Sequence, residues 1–600
     1  MCGIAGVASA IGQAPETAVL DRMAQALSHR GPDGCHSVRV GAIGLAHARL
    51  AIVDLTTGDQ PLYGPDGLVL VANGEIYNDL PLRQELSGRP FRTGSDCEAP
   101  LFLYHEAPEA QKTAFASRLR GMYAIALADP ARDRVVLCRD PFGIKPLYIA
   151  QGDFGVAFAS EPCALLASGL LPAARVETAA AVEMLNLQFS TGSRTPLQGI
   201  ERLLPGETVV IERGRIVSRQ RRFALSDALI PSDGPLLRSE DEALAALEAA
   251  LLDSVTAHQR SDVPYGMFLS GGVDSATVLA LMSRLNDQPV RAFTAGFPGS
   301  GVHDERSQAA LVAKACGAEH SDLAITEQDF WRWLPSIVAS LDDPVADYAV
   351  VPTWLLARQA RQSVKVILSG EGGDELFAGY GRYRAALRPW PFAKPMRRRG
   401  TFDGLGVLRA GAGWRAGLTQ TERAIADAPQ QWLAHPSRLK RLQAADVAEW
   451  LPNDLLTKLD RCLMAHGVEG RVPFLDPVVA GVAMRLDDRL TLKDNTGKWL
   501  LRRWLDKALP QAQPFARKKG FTVPVGEWIA RDGARLGEWV AATPAVQEIA
   551  DPAAVRGLFV ATDKDRLFAA WSLLVYALWA RHHLEGQRCD GDVASVLAAA

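Results

Sequence analysis

The sequence predicts two folded units of different class. The first is an α+β unit of packed antiparallel sheets with helices attached. The second is an α/β unit on a parallel sheet, and it ends in a largely helical part. Three observations lead there. At 600 residues the chain exceeds what one hydrophobic core serves, so two or more domains are expected. Up to residue 215, short apolar runs (Ala42–Ala46, Leu68–Ala72, Val135–Cys138) alternate with Gly, Pro, Asp and Asn, which is the punctuation of strands and turns. Beyond residue 240 the period changes. Leu244, Leu247, Leu251 and Val255 fall at helical spacing, and apolar strands then alternate with helices.

In the first unit Leu20–Leu27 reads as a short helix, Ala46–Asp54 as an apolar strand carrying Arg49, and Ala72–Asn78 as a strand ending in an Asn-Gly turn. His29–Gly34 and Thr93–Glu98 are polar turns, and Ser95-Asp96 precedes Ala99–Tyr104 as a helix cap would. Residues 226–240 are polar and Pro/Gly-marked. The expected division is 1–215, a linker over 216–240, and 241–600. In the second unit Met267–Leu269 is a strand, Ser270–Ser275 a glycine loop and Ala276–Leu285 a helix, with further strands at Val290–Phe297 and Val364–Leu368. The last third is helical. Its longest apolar run, Phe568–Ala580, ends at Arg581-His582-His583, is too short to span a bilayer, and reads as a buried helix.

Composition excludes several classes. With 65 Lys+Arg against 68 Asp+Glu the net charge is −3, which gives no support for nucleic-acid binding. Basic runs are short, as at Arg397-Arg398-Arg399. The eight cysteines are scattered with no zinc spacing, which suits free thiols in a reducing compartment. The start lacks a basic region followed by an apolar one, so no secretory leader is expected. A cytoplasmic protein with no membrane partner is the expectation.

Cys2, in Met1-Cys2-Gly3-Ile4-Ala5-Gly6, is the most informative residue. Removal of Met1 would leave a thiol and a free α-amine on one residue. An α-amine titrates near ~7.7–8, so it can serve as general base for its own thiol. A polar series follows it: His29–Gly34, Arg49, Asn73-Gly74-Glu75, Asp96, Leu119–Ala124, Arg139–Tyr148 and Phe158–Glu161. Together these resemble the class II, N-terminal-nucleophile glutamine amidotransferases over almost the entire first unit. The resemblance implies an αββα sandwich. It makes Cys2 the nucleophile and Asn73 and Gly74 the oxyanion donors, which suits a thiolate attacking a carboxamide. It assigns glutamine to Arg49, Ile52, Val53, Asn73, Gly74, Glu75 and Asp96. Arg49 would take the α-carboxylate, and Asp96 with the Glu75 region the α-ammonium. Pro162 departs from the family pattern and removes an N–H there.

Leu269-Ser270-Gly271-Gly272-Val273-Asp274-Ser275 leaves a strand and opens a helix, so backbone N–H groups and a helix N-terminus face one point. The spacing of a Walker A loop is absent. Ser369-Gly370-Glu371-Gly372-Gly373-Asp374 also leaves the end of an apolar strand, where open α/β sheets place ligands. The first loop resembles that of the ATP pyrophosphatases. With Lys458–Arg461, Gly467–Asp476, Thr496–Arg502 and Arg517–Phe521, the whole resembles the glutamine-hydrolysing asparagine synthetase family. The resemblance implies a doubly wound parallel domain that binds ATP through Leu269, Ser270, Gly271, Gly272, Asp274, Ser275, Ala295, Ser369, Gly370 and Asp374. It gives Glu371 and Lys498 catalytic roles at an acyl-adenylate. Asp274 and Asp374 are the carboxylates expected to hold Mg²⁺.

The implied reaction takes glutamine, aspartate and ATP as small-molecule substrates. A homodimer is a family expectation only. The stretch Asp342–Tyr348 with Pro352-Thr353 resembles a branch in which some members amidate other carboxylates, such as cell-wall or polysaccharide-linked acids. That is the alternative acceptor. Cys2 and Glu371 argue against the β-lactam-forming and peptide-cyclising relatives. Residues 388–426 carry no chemical reading.

Overall fold

The computed structural model describes all residues except 1, 14, 227–233, 300, 303, 398, 410–412, 428–436, 518–521 and 599–600. Part of the expected linker and Lys518–Phe521 of the last motif therefore lie outside the described residues.

Twelve strands of the first unit make two six-stranded antiparallel sheets. The first sheet runs β10-β8-β9-β1-β3-β2, from Ile200–Arg202 (β10), Tyr148–Gly152 (β8), Gly155–Ala159 (β9), Gly3–Ser9 (β1), Ile43–Arg49 (β3) and Gly34–Val40 (β2). The second runs β12-β11-β7-β6-β5-β4, from Arg215–Arg221, Glu207–Glu212, Arg134–Arg139, Gly121–Asp129, Val69–Ile76 and Leu62–Tyr63. Side chains alternate across each sheet. Ile4, Ile43, Leu45, Val71, Ala126, Leu137 and Phe158 meet in the buried layer between the sheets. The opposite face of the second sheet (Leu70, Ile125, Leu127) packs under Leu82, Phe102 and Tyr104 of helices Asp79–Glu85 and Ala99–Glu106. Helices Thr17–Ala26 and Pro162–Ala167 cover the outside of the first sheet. The layers are therefore αββα. Each buried Leu or Phe of these layers contributes on the order of 1.5–3 kcal/mol. Two expectations change. Asn73-Gly74 lies inside β5, opposite Ala124 and Tyr123 of β6, and is no turn. The sheet also continues through β12, past the expected boundary at residue 215.

Helix Glu240–His258 opens the second unit. Ser239 caps it by accepting from Glu242 N, and Glu240, Asp241 and Glu242 favour its positive end. Five parallel strands follow in the order β15-β14-β13-β16-β17: Glu319–Ala324, Arg291–Gly296, Tyr265–Phe268, Val366–Leu368 and Glu469–Arg471. From β13 the chain builds outward on one side through β14 and β15, then returns to build the other side through β16 and β17. The order reverses between β13 and β16, so a crevice opens beyond their carboxyl ends. Both glycine loops emerge there. The late helix Lys564–His583 buries Ala569 through Arg581, as its apolar run implied. Among the described residues no helix is long and apolar enough to cross a membrane.

Ion pairs join the two units. Arg202 holds Asp343 (2.6 Å), Arg120 holds Asp476 (2.9 Å), Lys365 holds Asp33 (2.8 Å), and Lys145 Nζ donates to Gly470 O (3.1 Å).

Candidate active sites

Cys2 is buried just ahead of β1, with its N–H donating to Asn73 Oδ1 at 3.1 Å. Burial raises the thiol above its ordinary range, and the Leu50 N–H and the Arg49 charge oppose that shift. The other half of the Asn73 amide, Nδ2, is fully buried and has no hydrogen-bond partner within the protein. A buried donor in that state costs about 1–3 kcal/mol unless something arrives to accept. Gly74 presents a second donor. Tyr123, directly opposite on β6, exchanges both of its backbone groups with Asp140 (Asp140 N to Tyr123 O, 2.8 Å). The Gly74–Tyr123 pair is therefore a non-hydrogen-bonded one, and the Gly74 N–H points away from β6. Glycine is required there because a Cβ would stand 2.1 Å from Met122 O.

Two carboxylates, Glu75 and Asp96, lie buried beside Asn73-Gly74. Asp96 accepts from Ile76 N (2.5 Å), and burial lifts its carboxyl to about 6 while that bond resists. Burial and Asp96 push Glu75 upward too, against Arg471, which lies 3.2 Å away. Ser95, not Asp96, caps the turn before Ala99, by accepting from Cys97 N. Arg49 ends β3 with Nη1 on Asp59 Oδ1 (2.7 Å) and Nη2 on Asp54 O (2.5 Å). Asp59 thus meets Arg49 with a carboxylate, the group that the resemblance expects Arg49 to bind. Ile52 and Val53 follow on the same segment. Ile52 O accepts from Asp262 N of the second unit (2.9 Å).

Sequence reasoning missed the residues behind this pocket. Arg30 is fully buried, donates to Cys2 O (3.2 Å), and forks onto Asp460 (2.7 and 3.0 Å) of helix Thr457–Met464. Arg471 reaches Glu75 from β17 and pairs with Glu469, whose carboxyl it holds down at about 2 against the upward push of burial. The signal available at Glu469-Gly470-Arg471 was a pair of opposite charges between the apolar residues Val468 and Val472; Arg30, inside a polar turn, carried no such signal.

At the switch point a cavity of about 640 Å³ is lined by all ten residues expected to bind ATP, together with Glu371 and Lys498. Leu269 leads from β13 into Ser270–Gly272, and helix Val273–Leu285 begins directly after. Its first-turn N–H groups and partial positive charge suit phosphate. The loop already attracts an anion, since Gly271 N donates to the Glu305 carboxylate at 3.2 Å. Lys498, 3% exposed at the start of helix Trp499–Ala508, bonds Asp374 (2.6 Å) and Asp274 at once. Two carboxylates converging on one ammonium lie within reach of a single cation. Hard oxygen donors of that kind fit Mg²⁺, which takes one or two carboxylates plus phosphates. Burial raises the Glu371 carboxyl, and Lys458 opposes it. Lys458 also lines the cavity and binds Asp347 at 2.7 Å. Among the described residues one cluster has metal-ligand spacing, Glu161, Cys163 and Asp342. Arg30 and Arg461 already neutralise it, which disfavours a metal there.

The fold and the two sites define a class: an N-terminal-nucleophile glutamine amidotransferase unit joined to a parallel α/β nucleotide-binding unit. Residues 1–223 match the glutamine amidotransferase domain and residues 246–581 match asparagine synthase. The chain belongs to the asparagine synthase family. It is 36% identical to a relative from Mycobacterium tuberculosis, over 96% of this chain and 97% of the other. It is 31% identical to the glutamine-hydrolyzing asparagine synthetase 1 of Bacillus subtilis, over 98% and 97%. Against asparagine synthetase B of Escherichia coli the figure is 30%, over 88% and 83%.

Proposed function

We propose that this chain converts aspartate, glutamine and ATP to asparagine, glutamate, AMP and pyrophosphate. The observation that carries the reading is the convergence of two complete sets of groups on two pockets of one chain, nucleophile with oxyanion donors and both glycine loops with Lys498. In the first half-reaction the Cys2 thiolate attacks the glutamine carboxamide, and its proton passes to the α-amine oriented by Asn73 Oδ1. Charge on the tetrahedral oxygen falls to Asn73 Nδ2 and Gly74 N–H. Ammonia leaves, and water hydrolyses the γ-glutamyl thioester to glutamate.

In the second half-reaction the β-carboxylate of aspartate attacks the α-phosphorus of ATP and pyrophosphate departs. The switch-point loops hold the phosphates and Lys498 meets the developing charge. Mg²⁺, held by Asp274 and Asp374, would neutralise the phosphate oxygens. Ammonia then displaces AMP from the β-aspartyl-adenylate, with Glu371 placed to take its proton. Adenylation is needed because a carboxylate is a poor electrophile and AMP a good leaving group. Ile52, Met122, Leu459 and Val472, drawn from both units, belong to one buried apolar cluster, and ammonia would cross between the sites as a neutral molecule. A cytoplasmic location and a homodimer remain part of this reading.

The test is pyrophosphate release with ATP, Mg²⁺ and glutamine, with and without aspartate, and the product identified by mass. Aspartate-dependent release with asparagine formed is expected. Glutamine hydrolysis without aspartate-dependent release would move the acceptor to another carboxylate.

A further inference from the structure

Residues 381–400 carry seven Lys or Arg and no Asp or Glu. The stretch begins beside the synthetase site and ends against the segment that precedes the Lys458 helix. Gly379, just before it, packs so closely that a Cβ would lie 2.2 Å from Lys498 Cε. At its far end the Arg397 guanidinium lies 3.7 Å from the centre of the Trp450 ring, on the segment leading into the Lys458 helix. Between these feet the chain turns outward. Trp390 is 89% exposed and Phe392 70%, the most exposed aromatic side chains among the described residues. Arg384, Arg388, Lys394 and Arg399 are exposed beside them.

The backbone of this loop is poor in donors. Pro389, Pro391 and Pro395 have no N–H. Phe392 N donates to Pro389 O (2.8 Å) and Lys394 N to Ala385 O (3.1 Å). Such a loop loses little when moved out of bulk water. Aromatic rings flanked by cations are what a lipid headgroup region accepts: the rings take the interface and the cations take lipid phosphates. A nucleic acid would also accept cations and rings, but it needs a basic groove that tracks its backbone. Here the exposed cations nearest in sequence to the rings are two, Arg388 and Lys394, on one exposed loop.

We propose that residues 387–396 dock this protein reversibly on an anionic membrane surface, with Trp390 and Phe392 in the headgroup layer and Arg388 and Lys394 on lipid phosphates. Docking holds the synthetase pocket close to the bilayer, whichever carboxylate it amidates. This departs from the sequence expectation of no membrane partner, which rested on the lack of a spanning segment.

Co-sedimentation of the full chain with phosphatidylcholine vesicles, with and without phosphatidylglycerol, tests the idea. Binding is expected only to the anionic vesicles and should weaken as salt rises. Replacing both Trp390→Ser and Phe392→Ser should weaken it by at least about tenfold, while pyrophosphate release in solution stays unchanged. Arg388→Gln with Lys394→Gln should flatten the salt dependence. Absence of binding to anionic vesicles overturns the proposal, as does equal binding by the Trp390/Phe392 variant. Retention of an oligonucleotide without vesicle binding also overturns it. So does a dimer that the aromatic substitutions split, because the patch would then cover a second copy.

Discussion

Asn73 uses both ends of one amide. Its oxygen accepts from Cys2 N, and its Nδ2 stands buried and unpaired where the tetrahedral oxygen would form. Asn73→Ala should therefore lower glutaminase kcat by about 10²–10³. Synthesis driven by added ammonium chloride should stay within about twofold, since that reaction bypasses the Cys2 pocket. Asp96 gives a second test. Burial pushes its carboxyl up to about 6, and on the proposed function only the ionised form would attract the glutamine ammonium. The KM for glutamine should thus rise as pH falls through about 6, while the ammonia-driven reaction shows no such limb. The sign on stability is opposite. A carboxyl raised on folding favours the protonated native state, so this group adds stability as pH falls from 6 toward the ordinary 3.8. Asp96→Asn should abolish the acidic rise in KM and leave KM high throughout. Initial rates against glutamine at each pH would read both effects. Cys2, Asn73-Gly74 and Asp96 could be singled out in the sequence because each sits in a short polar motif, whereas Arg30 and Arg471 gain their places beside Cys2 and Glu75 only through the fold.

Legibility falls where an element gains its meaning from across the fold. Alternation and turn residues were enough to place β3, β5 and β7, and the strand-loop-helix at Ser270 was readable because apolar strand, glycines and helix follow directly. β15 and β17 escaped notice. β15 is an edge strand, Glu-His-Ser-Asp-Leu-Ala, largely open to solvent, and β17 is Glu-Gly-Arg, with charges that the fold then buries completely. No apolar period marks either. The same limit hid helix Thr457–Met464, which serves both pockets: Lys458 faces the nucleotide cavity, while Asp460 and Arg461 hold Arg30 and Glu161 behind Cys2. Arg30→Met leaves Asp460 buried without its main cation and strips one of three cations from Glu161. It should cost about 3–5 kcal/mol, read as a lower midpoint in urea unfolding. Adding Asp460→Leu to that variant should recover part of the loss, because the paired desolvation penalty goes with it. No recovery would mean that Arg30 acts through Cys2 O and Glu161 instead.

The two units match separate families, yet the ion pairs between them are not those of independent domains. Arg202–Asp343 and Arg30–Asp460 are buried pairs with one partner on each side, and Arg471 enters the glutamine pocket from the synthetase sheet. Separating the units would strand these charges, so the chain should unfold in one cooperative transition. The chemistry is divided differently. Cys2 is a small buried thiol touching none of the cavity at the switch point, so Cys2→Ala removes the nucleophile without opening the interface. That variant should lose glutamine-dependent synthesis by more than about 10³ while retaining ammonia-dependent pyrophosphate release near the unaltered rate. Its single melting transition should stay within a few degrees of the parent, as expected for loss of one small side chain of this size. Ammonia-dependent activity lost in a variant that melts normally would mean that the nucleotide site needs an occupied glutamine pocket. The coupling would then run through Arg30, Asp460 and the Lys458 helix, and the Arg30→Met variant should show the same loss.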